Sequence, residues 1–117
     1  MNKREKGKIA EEFACNYLVK NGFKILQTNF HFSKKAEVDI VASKNETLVF
    51  IEVRSRFHKN SYDPIWSITP SKYRKFKLGC EGYLYVNNID GMICRMDVLI
   101  IDFAINPVRI EHIQNAF

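Results

Sequence analysis

Glu37-Val-Asp39-Ile-Val-Ala-Ser-Lys-Asn-Glu-Thr-Leu-Val-Phe-Ile-Glu52-Val-Arg54-Ser-Arg56 is the stretch on which the reading of this chain turns. Two runs rich in Val, Ile and Phe, Glu37 to Ala42 and Thr47 to Arg56, flank a polar turn over Ser43 to Glu46, which predicts a β-hairpin. Asp and Glu are poor strand formers, so carboxylates inside such a hairpin need a reason. If the hairpin turns symmetrically about Asn45-Glu46, Asp39 faces Glu52 and Glu37 faces Arg54. Facing side chains lie about 4.5–5.5 Å apart at Cβ, and like charges held there repel. A hard divalent cation between them removes the cost, since Mg²⁺ takes one or two carboxylates and completes its shell with water and phosphate oxygens. The alternative is a surface network in which Asp39 and Glu52 pair separately with Arg54, Arg56 or Lys72. Spacing alone leaves the two readings level. Strand alternation puts Leu48, Phe50, Glu52 and Arg54 on one face, apolar first and charged later, so the carboxylates belong where the hairpin leaves the core.

Outward from the hairpin, residues 5–21 carry Ile9, Ala10, Phe13, Ala14, Tyr17 and Leu18 at helical spacing, and Asn21-Gly22 is a stop signal. Phe23 to Phe32 reads as a first strand. The segment Phe57 to Ser67 is irregular, and a second helix starts with Thr69 as N-cap and Pro70 at its first position. That helix places Phe76, Cys80, Tyr83 and Leu84 inward and is basic in its first half through Lys72, Arg74, Lys75 and Lys77. Closing strands follow at Arg95 to Asp102 and Val108 to Ile113. The order αβββαββ predicts an α/β fold, a mixed β-sheet flanked by helices, in one domain over residues 1–117.

A net charge of +5 points toward a polyanionic partner. No stretch approaches the roughly 18 apolar residues that span a bilayer, and the charged start MNKREKGKIAEEF lacks the apolar segment of a secretory signal. Cys15, Cys80 and Cys94 have neither metal-ligand nor disulfide spacing and read as reduced, core-filling thiols, which makes a cytoplasmic chain the expectation.

The residues Glu11, Ala14, Tyr17-Leu18, Gly22-Phe23, Ile25-Leu26 and Asn29 open a longer pattern. It continues with Glu37-x-Asp39-Ile40, Phe50-x-Glu52-Val53-Arg54-Ser55-Arg56, Lys72, Arg95-Met96-Asp97-Val98 and His112-Ile113-x-Asn115-Ala116-Phe117. Over nearly its whole length the chain thus resembles the YraN family of small bacterial proteins. That family is similar in core to the restriction-endonuclease-like, PD-(D/E)xK superfamily and to archaeal Holliday junction resolvases. The resemblance implies a restriction-endonuclease-like core with Glu11 as a helix carboxylate orienting the metal shell or a water, and Asp39 and Glu52 as direct ligands of Mg²⁺ or Mn²⁺. It implies a lysine at position 54, where this chain has Arg54. A guanidinium stays charged and cannot act as a base, although it can hold a phosphate. Ala36 likewise replaces a glycine.

The expected activity is metal-assisted phosphodiester hydrolysis, a nuclease or structure-selective DNA-processing enzyme. A non-catalytic nucleic-acid-binding module on the same fold is the alternative that Arg54 favours, and a protein meeting an acidic protein partner is a third. DNA is the expected polymer, with Arg56 and Lys72 as phosphate contacts. A homodimer fits the behaviour of the resolvases, but no heptad or apolar patch argues for it. Glu37 is expected to pair with Arg54 rather than bind metal. Tyr62 and Trp66 are expected to pack over the sheet rather than stack on bases. Arg95 and Asp97 are expected to form a structural pair, and His31, His58 and His112 have no assigned role.

Overall fold

The computed structural model describes all 117 residues. The elements follow in the order α1 (Lys3–Lys20), β1 (Lys24–Ser33), β2 (Ala36–Lys44), β3 (Thr47–Arg56), a 3-10 turn (Pro64–Ser67), α2 (Pro70–Val86), β4 (Cys94–Asp102) and β5 (Arg109–Ile113). The α/β order αβββαββ expected from the sequence is therefore present, with one 3-10 turn inside the segment read as irregular. Side-chain oxygens of Asn2 and Thr69 cap the two helices, accepting from the backbone N–H of Glu5 and Lys72. No helix is long and apolar enough to cross a membrane.

The five strands form one mixed sheet in sequence order. The contacts of β1 with β2, β2 with β3 and β4 with β5 are antiparallel, and β3 with β4 is parallel. The parallel step needs a crossover, and α2 supplies it. Strand alternation sorts the core into two layers. Ile40, Ala42, Val49, Ile51, Leu99 and Ile101 meet Ala14 and Leu18 of α1. Val38, Val41, Leu48 and Phe50 meet Phe76, Cys80 and Tyr83 of α2 on the opposite face. Of the three thiols Cys80 is buried in the core and Cys15 packs half-buried against the α1 layer, whereas Cys94, expected to be inside as well, is exposed because its strand begins at the rim of the sheet.

α2 approaches the sheet closely. A Cβ on Gly79 would lie 2.5 Å from the Glu37 carbonyl oxygen, and one on Gly82 would lie 2.5 Å from the Phe32 ring. Glycine at these positions lets the helix backbone rest on β1 and β2.

β2 breaks its alternation at one point. Val38 packs on the α2 side and Ile40 on the α1 side, although residues two apart in a regular strand share a face. Across the ladder, Asn29 of β1 takes a left-handed φ of 51°. Both strands therefore twist at the Asn29–Asp39 step, which places Asp39 where the sheet changes face.

Candidate active site

The hairpin register is the one expected. The β2–β3 ladder runs from Lys44 opposite Thr47 to Ile40 opposite Ile51, closed by Asn45 and Glu46. Both turn residues have positive φ, 49° and 65°, as a two-residue type I′ connection requires. The ladder ends there, one step before Asp39 and Glu52. The Val53 N–H then donates to Asp39 Oδ2 at 2.8 Å, so a carboxylate takes the place of a strand carbonyl. β3 stays paired with β4 as far as Arg56 opposite Asp102. A gap thus opens on one side of β3 only.

Two carboxylates meet in that gap. The sequence reading put them side by side on one face. The twist at Asp39 instead sends its side chain to the α1 side, where it lines a cavity with Glu11 and Asn29, while Glu52 lines a smaller one with Lys72 and Phe76. Burial pushes the Glu52 carboxyl well above the usual carboxylate range, and the charge of Asp39 and a hydrogen bond with it push the same way, against the pull of Arg54. Burial raises Glu11 as well, with Asp39 adding to the rise while side-chain hydrogen bonds with Asn29 and Thr28 oppose it. Asp39 is therefore the acid whose charge acts on both Glu11 and Glu52.

No three His, Cys, Asp or Glu side chains gather closely enough to form a metal cage. The direct protein donors at the gap are two carboxylates, which is the number Mg²⁺ accepts when water and phosphate supply the rest. Asp39 Oδ2 accepts from the Val53 N–H and Arg54 approaches Glu52 Oε1 at 3.4 Å, so a cation at the gap would share both carboxylates with donors of the chain. The donor set fits an open Mg²⁺ or Mn²⁺ site.

The cations around the gap differ from the expected pairing. Glu37 does not reach Arg54, because β2 has already left β3. It pairs instead with Lys75 of α2 at 3.1 Å and with His31, its neighbour across β1, at 3.2 Å. Arg54 Nε donates to Ser67 Oγ at 2.8 Å, and Ser67 Oγ in turn donates to the Pro64 carbonyl at 2.6 Å. Arg56 grips Asp102 through Nε at 3.0 Å and Nη2 at 2.8 Å, and its Nη1 donates to the Ser61 carbonyl. Lys72, in the first turn of α2, faces the gap. Its ammonium is held below its usual pKa, chiefly by burial and then by Arg54, while Glu52 and Asp39 pull the other way.

A groove leads into the site. Lys3, Lys6, Arg56, His58, Tyr62 and Trp66 line a cavity of about 520 Å³. It shares Lys3, Gly7, Val53 and Ser55 with a second of about 530 Å³ that holds Arg4, Lys8, Glu11 and Asp39. Sequence reasoning passed over Lys3, Arg4, Lys6 and Lys8, although their density in the first turns of α1 was a readable signal. It also expected Tyr62 and Trp66 to pack over the sheet. They are 90% and 76% exposed: the 3-10 turn buries Pro64 and carries Trp66 outward, and Tyr62 lies in the loop before it.

A second acidic centre lies on β4. Asp97 is fully buried and accepts from Arg95 Nε at 2.9 Å and from the Asn115 N–H at 3.0 Å, with His112 Nε2 at 2.7 Å. The Arg95–Asp97 pair was expected. The role of His112 was not, since its acid partner comes from the neighbouring strand.

Residues 10–101 match the uncharacterised protein family UPF0102. The chain is 45% identical over 101 residues to a UPF0102 protein of Helicobacter hepaticus, covering 86% of this chain and 87% of the relative. It is 37% identical over 117 residues to a UPF0102 protein of Clostridioides difficile, covering 100% of each. A UPF0102 protein of Sulfurihydrogenibium shows the same 37% over 117 residues, with 100% and 97% covered.

Proposed function

We propose, for a chain that belongs to the uncharacterised protein family UPF0102, that it is a metal-dependent nuclease with a restriction-endonuclease-like core, acting on DNA. The observation that supports this reading is the juxtaposition of Asp39 and Glu52 just beyond the end of the hairpin ladder, where the like charge of Asp39 raises Glu52 despite Arg54. A like-charged pair held by the backbone is costly unless a cation or proton resides there. When bound, Mg²⁺ or Mn²⁺ lowers the pKa of its water and polarises a phosphodiester oxygen.

The chain's own groups do the positioning. The Val53 N–H fixes the Asp39 carboxylate, and Glu52 closes the other side of the gap. Glu11, anchored by Thr28 and Asn29, orients water beside Asp39. Lys72 supplies the ammonium that a lysine at position 54 would otherwise bring, holding the scissile phosphate and balancing the charge that develops on it. Arg54 cannot serve as a base, and its guanidinium is engaged with Ser67 and Glu52. That engagement favours a second reading, a nucleic-acid-binding module on the same scaffold that lacks turnover.

Cleavage of labelled single-stranded, duplex and four-way-junction DNA with Mg²⁺ or Mn²⁺ separates the two. Wild type should cut, and Asp39→Ala and Lys72→Ala should each lose on the order of a thousandfold or a hundredfold respectively. Binding without cutting by wild type, with cutting gained in Arg54→Lys, would select the second reading. Inertness of every variant toward every substrate would remove the nuclease.

A further inference from the structure

We propose that Tyr62 and Trp66 form a stacking platform for unpaired bases, so that this protein takes single-stranded nucleic acid, or the single-stranded part of a branched one, in preference to continuous duplex. The inference deepens the nuclease reading by naming the substrate's strandedness, and rests on it only for what happens after binding.

Large aromatic rings on a small protein are ordinarily drawn into packing. Phe57, next to the same segment, follows that rule and stacks on Phe103 at 4.5 Å. Tyr62 and Trp66 do not: both line the groove and both are largely exposed. Large exposed rings lining a groove among polar groups mark a binding surface.

The segment that carries them is held in place. Asp63 Oδ1 accepts from the Ile65 N–H at 3.1 Å, the Ser61 carbonyl accepts from Arg56 and Ser67 Oγ accepts from Arg54. Two arginines of β3, the strand that bears Glu52, thus fix the platform relative to the carboxylates. This gives position 54 a purpose that lysine could not serve. The planar guanidinium reaches Ser67 through Nε and Glu52 through Nη1 at once, which a single ammonium on a flexible stem does not reproduce.

The chemistry of the groove matches the same ligand. Lys3, Lys6 and His58 line the cavity with the rings, and Arg4 and Lys8 line its continuation toward Asp39. A basic channel with aromatic rings at its mouth is the arrangement that follows a phosphate backbone while bases stack on the side. Bases inside a duplex already stack on each other and present only their edges, so they gain nothing from the rings.

Trp66 is the one tryptophan of the chain, so its fluorescence reports on the platform directly. Oligothymidylate added in EDTA should quench it, and a duplex of equal length should not. Binding is followed in parallel by anisotropy of a labelled strand. Trp66→Ala should lose roughly tenfold in affinity for the single strand, Trp66→Phe should keep most of it, and duplex affinity should stay within about twofold in both. Because EDTA removes metal, quenching without any later cleavage sinks the nuclease reading alone, and cleavage without quenching sinks the platform alone. Full single-strand affinity in Trp66→Ala, or binding that leaves Trp66 unperturbed, overturns the proposal. So does the absence of binding to either polymer, which would assign the exposed rings to a protein contact.

Discussion

Asp97 on β4 and the Asp39–Glu52 pair beside β3 are acids withdrawn from water on neighbouring strands, yet they are provided for in opposite ways. Asp97 is surrounded by donors, with Arg95, His112 and the Asn115 N–H all directed at one carboxylate. Burial alone would raise its pKa, but His112, Arg95 and Asn115 together outweigh burial and hold it below its ordinary value. Glu52 faces another acid, and its pKa moves upward. A carboxylate whose needs are met inside the chain is a structural tie. One that the chain leaves short of positive charge has room for a ligand that brings it.

The largest expected effect falls on the satisfied centre. Asp97→Asn should cost about 3 kcal/mol, read as a lower urea midpoint, because Arg95 loses its buried anionic partner and the contact with His112 is weakened. The same variant should change acid sensitivity. A carboxyl whose folded pKa lies below its unfolded value of about 3.8 stabilises fully above that pH and loses its contribution as pH falls through the folded pKa. Wild type should therefore lose stability more steeply below pH 4 than Asp97→Asn, and parallel acid limbs would break the comparison.

An intermediate effect is expected where α2 presses on β2. The Cβ of Gly79→Ala meets the Glu37 backbone, so the variant should lose about 1–3 kcal/mol in the same unfolding measurement. Wild-type stability there would mean that β2 yields easily beside the gap.

The smallest change in stability belongs to Asp39→Asn. The amide oxygen still accepts from Val53 and the like charge beside Glu52 disappears, so unfolding should stay within about 0.5 kcal/mol of wild type or shift upward. A loss as large as that of Asp97→Asn would show that the two centres are of one kind.

The hairpin was readable because a two-residue turn fixes the register of all that follows it, and Asn45-Glu46 sits between runs of unmistakable strand character. The caps at Asn2 and Thr69 belong to the same local grammar, although only Thr69 was singled out. What escaped was set by other layers. The Glu37–Arg54 pairing followed correctly from the register but assumed a ladder that continues past Ile40, and the twist at Asp39 depends on Asn29 of another strand. His112 meets Asp97 only once β5 folds back on β4. Trp66 carries no mark in the sequence that distinguishes a core ring from a surface one.

The left-handed Asn29 has a consequence beyond making room for Asp39. β1 forms one border of the sheet, and a straight border strand is an open template on which a strand from another molecule can polymerise. Here that border is kinked at Asn29, has its register shifted on both sides, and carries Lys24 at one end with Lys34 and Lys35 just beyond the other. The kink beside the acids therefore also makes β1 a poor template for a strand from another molecule, which leaves β5 as the regular border of the sheet.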